Sequence, residues 1–341
     1  MGLCMSNLTH PHDRFFKKVF SRPDVAQDFV HHYLPSEIVA QLELPTMQMV
    51  KDSFVDQELR EHFSDLLYQV NHKGGREAYI YVLFEHKSYP EPLTAFQLLR
   101  YLVRIWERSL KQSKTSQLPF IIPLVVYHGS AAWRVDSSFR ALFAECPTFA
   151  PFIPDFRYRL CDLSGYSDEE IKGKVTLRVA LLILKHIFDR ELGERLPGIL
   201  TLLQGLANTR SGLEHLATVL RYVSSAASQV SEKELHKAVE KAFPQTGGAL
   251  MATIAEQWIN QGIKQGMKRG MKQGISQAAR EAVLDILQVR FETVPHYIAA
   301  AVNQVSDPLL LKRLRKQAVV VASPEELEQV MSVPIGEAGI G

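Results

Sequence analysis

The chain has 341 residues and a mass of 38.6 kDa, enough for one large or two to three small domains with a sizeable core. Hydrophobic residues make up 46% and charged residues 22% of it, which excludes a disordered or fibrous protein. Lys and Arg number 39 against 37 Asp and Glu, a formal charge of +2, so affinity for nucleic acid has to come from local patches rather than a polycationic whole.

Cys4, Cys146 and Cys161 are too few and too dispersed for a disulfide framework or a Cys-rich zinc site. They fit reduced thiols in a cytoplasmic protein. The longest apolar stretches, 120–127 and 179–184, fall far short of the roughly 20 residues of a membrane span. The first residues carry no basic-then-apolar secretory signal. Met1-Gly2-Leu3-Cys4-Met5-Ser6 fits the loose myristoylation pattern, a six-residue match that arises easily by accident.

Residues 11–34 predict helix. Phe15, Phe16, Val19 and Phe20 form one apolar cluster, and Ala26, Phe29, Val30 and Tyr33 continue at helical spacing after a punctuation at Ser21-Arg22-Pro23. From Thr46 to Lys87 the period changes to two. Met47, Met49 and Phe54 open a strand region, and 63–71 form a second strand. Lys73-Gly74-Gly75-Arg76 turns the chain into a third strand at 78–87. Helical spacing returns at 92–112, where Leu93, Phe96, Leu99, Leu102, Val103 and Trp106 share a face. The run 118–128 predicts a strand buried on both faces, with Pro123 marking a bulge or a local break in pairing. Residues 156–163 are a further candidate strand.

From about 168 every segment has helical patterning: 168–190, 193–207, 212–226, 231–243, a long one over 249–291, and shorter helices to 331. The fold class expected is α+β, a mixed sheet flanked by helices and followed by an all-helical carboxy-terminal region. The corresponding division is 10–167 for the sheet-containing core, 168–248 for a helical domain and 249–331 for a helical tail. A frayed, Gly-rich end at 332–341 follows.

Chemistry concentrates at the end of the third strand. Residues two apart on a strand share a face, so Glu85 and Lys87 project together. If the second and third strands pair across the Gly74-Gly75 turn, Leu67 faces Leu83, Gln69 faces Tyr81 and Asp65 falls opposite Glu85. Two carboxylates and an ammonium then meet at an apolar strand end, where charge is costly unless paired or coordinated. With the main-chain carbonyl of His86 they form a hard oxygen site for Mg²⁺ or Mn²⁺, suited to phosphodiester hydrolysis. The bland alternative is a solvated strand end with Asp65 in an ion pair. Asp13, Lys17 and Gln97 are further residues expected to border the site, although capping of the first helix is the simpler account of Asp13.

On the following helix Arg100, Arg104, Arg108 and Lys111 make a basic stripe with Glu107 as its one acidic neighbour. Such arrays hold phosphate backbones; a solvated helix face is the alternative. Gly262, Gly266, Gly270 and Gly274 repeat in four tetrads. In a helix they cost about 1 kcal/mol each relative to Ala unless close packing compensates. They predict either a self-association seam, and so a homodimer through the carboxy-terminal helices, or, with Lys264, Lys268, Arg269, Lys272 and Arg280, a DNA contact or basic tether. The early histidines His10, His12, His31 and His32 have no zinc spacing, and His86 is expected to pack on the face opposite Glu85.

These motifs resemble the Rpn family of bacterial recombination-promoting nucleases, also described as transposases of the PD-(D/E)XK superfamily. The resemblance rests on His12-Asp13-Arg14-Phe15-Phe16-Lys17-Lys18-Val19-Phe20, Ala26-Gln27-Asp28-Phe29, Leu34-Pro35, Ser53-Phe54-Val55-Asp56 and Ser64-Asp65-Leu66-Leu67-Tyr68. It continues in Tyr79-Ile80-Tyr81-Val82-Leu83-Phe84-Glu85-His86-Lys87-Ser88, Arg100-Tyr101, Pro123-Leu124-Val125-Val126-Tyr127-His128-Gly129, Lys185-His186 and the Gln-Gly tetrads. It implies a restriction-endonuclease-like αβββαβ core and a divalent-metal-dependent DNA endonuclease with Asp65, Glu85 and Lys87 as the catalytic set. Where many relatives look like EHQS this chain has Glu85-His86-Lys87-Ser88, which restores the superfamily's usual third member. The alternative is a catalytically silent, nuclease-like module that binds DNA or a partner protein. No separate acidic triad supports strand transfer.

Overall fold

The computed structural model describes residues 10–50, 66–74, 79–112, 117–145 and 147–332. Asp65, Cys4, Cys146, the acylation pattern and the 333–341 end therefore lie outside the described residues, and so does the side chain of Glu85. The chain divides into two compact units, Met1–Ile254 and Ala255–Gly341.

The first unit opens with α1 (Pro11–Phe20) and α2 (Pro23–Tyr33). Proline suits the first helical turn because its missing N–H is an orphan there anyway, and Pro23 turns the expected punctuation into a true break. A short α3 (Ser36–Val39) leads to β1 (Leu42–Met49), β2 (Leu66–His72) and β3 (Tyr79–Lys87). Helix α4 (Thr94–Gln112), β4 (Phe120–Tyr127) and β5 (Arg159–Asp162) complete the core. The five strands lie side by side in chain order. The first two pairings are antiparallel and the last two parallel, so the α+β class expected from the sequence holds.

Strand β1 starts at Leu42, four residues before the expected Thr46. Pro45 cannot join a ladder, and the β1–β2 register shifts between Glu43 and Gln48. Thr46 fills the gap by donating to the Glu43 carbonyl and accepting from the Asn71 N–H. Leu67 pairs with Leu83 and Gln69 with Tyr81, the register read from the sequence.

Side-chain alternation gives the sheet two different faces. One packs on α1, whose Phe15, Phe16, Val19 and Phe20 are buried, and the Tyr68 hydroxyl donates to the Phe20 carbonyl. The other packs on α4 in a cluster of Ala95, Leu98, Tyr101, Val125, Phe139 and Tyr158. The buried face of α4 is thus Ala95, Leu98, Tyr101, Leu102 and Ile105, while Phe96 and Val103 are exposed. The apolar residues grouped by the sequence therefore straddle two parts of the helix surface, with Leu102 in the core and Phe96 and Val103 outside it. The apolar arc of this helix is wider than the sheet can cover, and the spacing of its large side chains picks out the margin rather than the centre.

Helices α5 (Val175–His186), α6 (Leu192–Thr201), α7 (Arg210–Ala226) and α8 (Glu232–Ala242) follow. Helix α5 begins later than the expected 168. Gly173 takes φ +118, a region side chains avoid, and the Asp28 carboxylate accepts from the Lys174 N–H at 2.6 Å. Helix α8 starts on a capping box in which Ser231 and Glu234 satisfy each other's backbone N–H groups. Helix α7 covers α1, with Tyr222 stacked on Phe15 at 4.1 Å.

Helix α9 (Gly247–Phe291) is followed by α10 (His296–Gln304), α11 (Pro308–Gln317) and α12 (Glu326–Ser332). The second unit has its own core of Val283, Leu287, Ile298, Val302, Leu314 and Leu327. Among the described residues, no helix is long and apolar enough to cross a membrane.

Candidate active site

Strand β3 is central, and its last residues lie against β4: Glu85 opposite Val125, His86 opposite Val126 and Lys87 opposite Tyr127. The Lys87 carbonyl accepts from the His128 N–H at 3.1 Å. Carbonyls alternate in direction along a strand, so that of His86 turns away from β4 toward the β2 side. There the last described pair is Leu66 with Phe84.

On the α4 face, Lys87 Nζ donates to Gln97 Oε1 at 2.7 Å. The Gln97 amide in turn donates to the Tyr101 hydroxyl at 3.3 Å. Tyr101 is fixed in the core, so the chain Tyr101–Gln97–Lys87 limits the ammonium to one position. Lys87 and Gln97, ten residues apart, therefore meet. Among the described residues, no three His, Cys, Asp or Glu side chains are arranged to hold a metal ion.

The opposite face carries a group that sequence reasoning missed. His86 Nε2 lies 2.7 Å from His128 Nε2, and His12 Nδ1 lies 2.7 Å from the Tyr222 hydroxyl. The ring centroids of His12 are 5.3 Å from His128 and 6.5 Å from His86. Phe188 stacks on His128, and Phe16 lies against His86. Burial, with the neighbouring His12, Lys87 and Lys17 charges, pushes the His86 imidazole down to about 3. Burial also holds His128 well below its usual value and lowers His12. The cluster is therefore neutral at pH 7. His86 and His128 end adjacent parallel strands, a signal present in the sequence. His12 and Tyr222 are 210 residues apart, and no local pattern links them.

Lys17 pairs with Asp13 at 3.3 Å across one helical turn. Helix α1 has no side-chain cap, so the capping account of Asp13 gives way to this ion pair. The other Asp13 oxygen, Oδ1, is buried without a hydrogen-bond partner. Along α4, Arg100, Arg104 and Lys111 are exposed and Arg108 is half-buried, with Arg104 paired to Glu107 at 3.0 Å. A Cβ built at Gly262, Gly266, Gly270 or Gly274 meets nothing within 4 Å, so these four glycines form no close helix contact with the described residues.

A mixed sheet whose central strand ends in Glu-His-Lys, flanked by a basic helix, defines an α+β protein with its polar chemistry at one strand terminus. The chain belongs to the family described as Putative transposase, YhgA-like, whose model matches residues 10–214. It is 31% identical over 258 residues to the recombination-promoting nuclease RpnD of Escherichia coli O157:H7, covering 74% of this chain and 96% of that one. It is also 31% identical over 254 residues to RpnA of Escherichia coli K12, with 74% and 84% covered. A third relative, at 29% over 259 residues and covering 75% and 84%, is named the inactive recombination-promoting nuclease-like protein RpnE of the same strain. No solved structure matches. The relatives' names make this a nuclease family with both nucleases and an inactive member in it.

Proposed function

We propose that the chain is a divalent-metal-dependent DNA endonuclease that promotes recombination, built on a restriction-endonuclease-like core. The observation that carries this reading is Lys87 at the end of the central strand, held by Gln97 on the α4 face. The order of helix, three antiparallel strands, helix and parallel strand supports the core. The β2–β3 register supports the catalytic set, because the same count carried two residues beyond Leu67 would bring Asp65 against Glu85.

In this reading Asp65, Glu85 and the His86 carbonyl hold Mg²⁺ or Mn²⁺, hard cations that take oxygen ligands. The direction of the His86 carbonyl, away from β4, fits that part. Such an ion would supply charge neutralisation at the phosphate and a more acidic bound water. The Lys87 ammonium, aimed by Gln97, orients the attacking water or stabilises negative charge developing on the phosphate. Arg100, Arg104, Arg108 and Lys111 hold the DNA backbone.

Plasmid nicking with Mg²⁺ tests the reading. Wild type should nick, and Asp65→Ala and Lys87→Ala should not. Equal nicking by all three would mean a contaminating nuclease and defeat it. The relative named inactive supports a second reading, a silent nuclease-like fold that binds DNA or a partner protein. Salt-sensitive DNA binding without nicking is its signature.

A further inference from the structure

Helix α4 carries more apolar surface than the sheet covers. Phe96, Leu99, Val103, Trp106 and Leu110 recur at alternating intervals of three and four. At 3.6 residues per turn they fall within an arc about 80° wide. This is the spacing of a coiled-coil seam: Leu99 at its edge packs against the core cluster, Trp106 is half-buried, and Phe96, Val103 and Leu110 face outward. Phe96 is 49%, Val103 40% and Leu110 47% exposed. The Trp106 indole N–H donates to the Pro119 carbonyl at 3.0 Å, which brings the exposed Leu118 and Phe120 beside the seam. Contiguous apolar surface of this kind marks an interaction site.

Charge identifies the occupant. Beside the seam, Arg100 and Glu107 occupy equivalent flanking positions seven residues apart. Two copies of α4 running antiparallel can interleave Leu99 with Leu110 and Val103 with Trp106 of the other copy. That register brings each Arg100 next to the Glu107 of the second copy, a carboxylate that also pairs with Arg104 of its own helix, twice over by two-fold symmetry. A parallel pair would instead set Arg100 and Glu107 against the opposite flank of the second copy, Leu102 and Ser109, and leave their charges unmatched. We propose that α4 is a homodimer interface, closed by an antiparallel, two-fold pairing of this seam. Arg104 and Arg108 of both copies then lie on the same side of the pair and merge into one wider basic surface. This inference does not depend on catalysis.

The seam is small against the roughly 1,200–2,000 Å² of a standard interface, so the expected affinity is micromolar. Sedimentation equilibrium of the full chain without DNA, from about 1 to 100 μM, is the test. Wild type should pass from monomer to dimer, and Val103→Glu should stay monomeric with an unchanged melting temperature. Arg100→Glu and Glu107→Arg should each weaken dimerisation about tenfold, because each substitution turns two symmetric attractions into repulsions. The double swap should restore it to within about threefold. A wild type monomeric throughout would overturn the proposal. So would a dimer indifferent to Val103→Glu, as one held by the glycine tetrads would be, or a double swap no better than the singles. A Val103→Glu chain that melts much earlier would place the seam inside the fold and would overturn the proposal as well.

Discussion

The two faces at the end of β3 use charge in opposite ways. On the α4 face the Lys87 side chain is given a hydrogen-bond partner, Gln97. On the α1 face, one residue away, imidazoles are crowded together and kept neutral. A strand interior accommodates charge only where a partner is supplied and otherwise removes it by shifting protonation. The contrast separates a face where Lys87 has a polar side-chain partner from one where imidazoles pack against aromatic rings.

The largest expected effect separates the faces directly. Lys87→Ala should lower single-turnover nicking at least about 100-fold, whereas His128→Asn should leave it within a few-fold of wild type. A large loss in the histidine variant alone would invert the assignment. Stability should divide the other way. The folded values of His128 and His12 lie below the usual 6.5, so below pH 6.5 the unfolded chain binds more protons. Stability is then lost as pH falls from 6.5, by up to about 1.4 kcal/mol per pH unit for each imidazole held neutral. Urea unfolding midpoints between pH 7 and 5 should show this slope, and His128→Asn should make it shallower whatever its effect at pH 7.

Gln97→Leu sharpens the comparison further. Removing the group that aims Lys87 should cost roughly ten- to a hundredfold in nicking rate with little change in DNA affinity, and Gln97→Asn should not recover it fully. Smallest is the effect of the basic helix. Arg108→Ala should weaken DNA binding similarly for all sequences. It should also reduce the slope of log affinity against log salt by about 1, read by fluorescence anisotropy at several salt concentrations.

Much of this was legible in the chain. Gly74 and the period-two patterning around it specify the β2–β3 register, because a one-residue slip would turn Leu67 and Val70 out of their layers. The Ser21-Arg22-Pro23 break was legible because proline acts locally. Two things were not. The apolar arc of α4 is contiguous, and nothing in its spacing says which part meets the sheet and which stays in water. The meeting of His12 with His86 and His128 depends on α1 crossing the sheet and on α7 covering α1, contacts between segments far apart in sequence. The expectation for His86, packing on the face away from Glu85, followed from alternation alone. Its partner His128 did not.

The measurement closest to the central claim is Mn²⁺ binding, followed by electron paramagnetic resonance or calorimetry on the full chain. The account predicts saturable binding by wild type that is lost in Asp65→Ala and in Glu85→Ala and kept in His128→Asn. Undiminished binding in both carboxylate variants, or loss confined to His128→Asn, would contradict it.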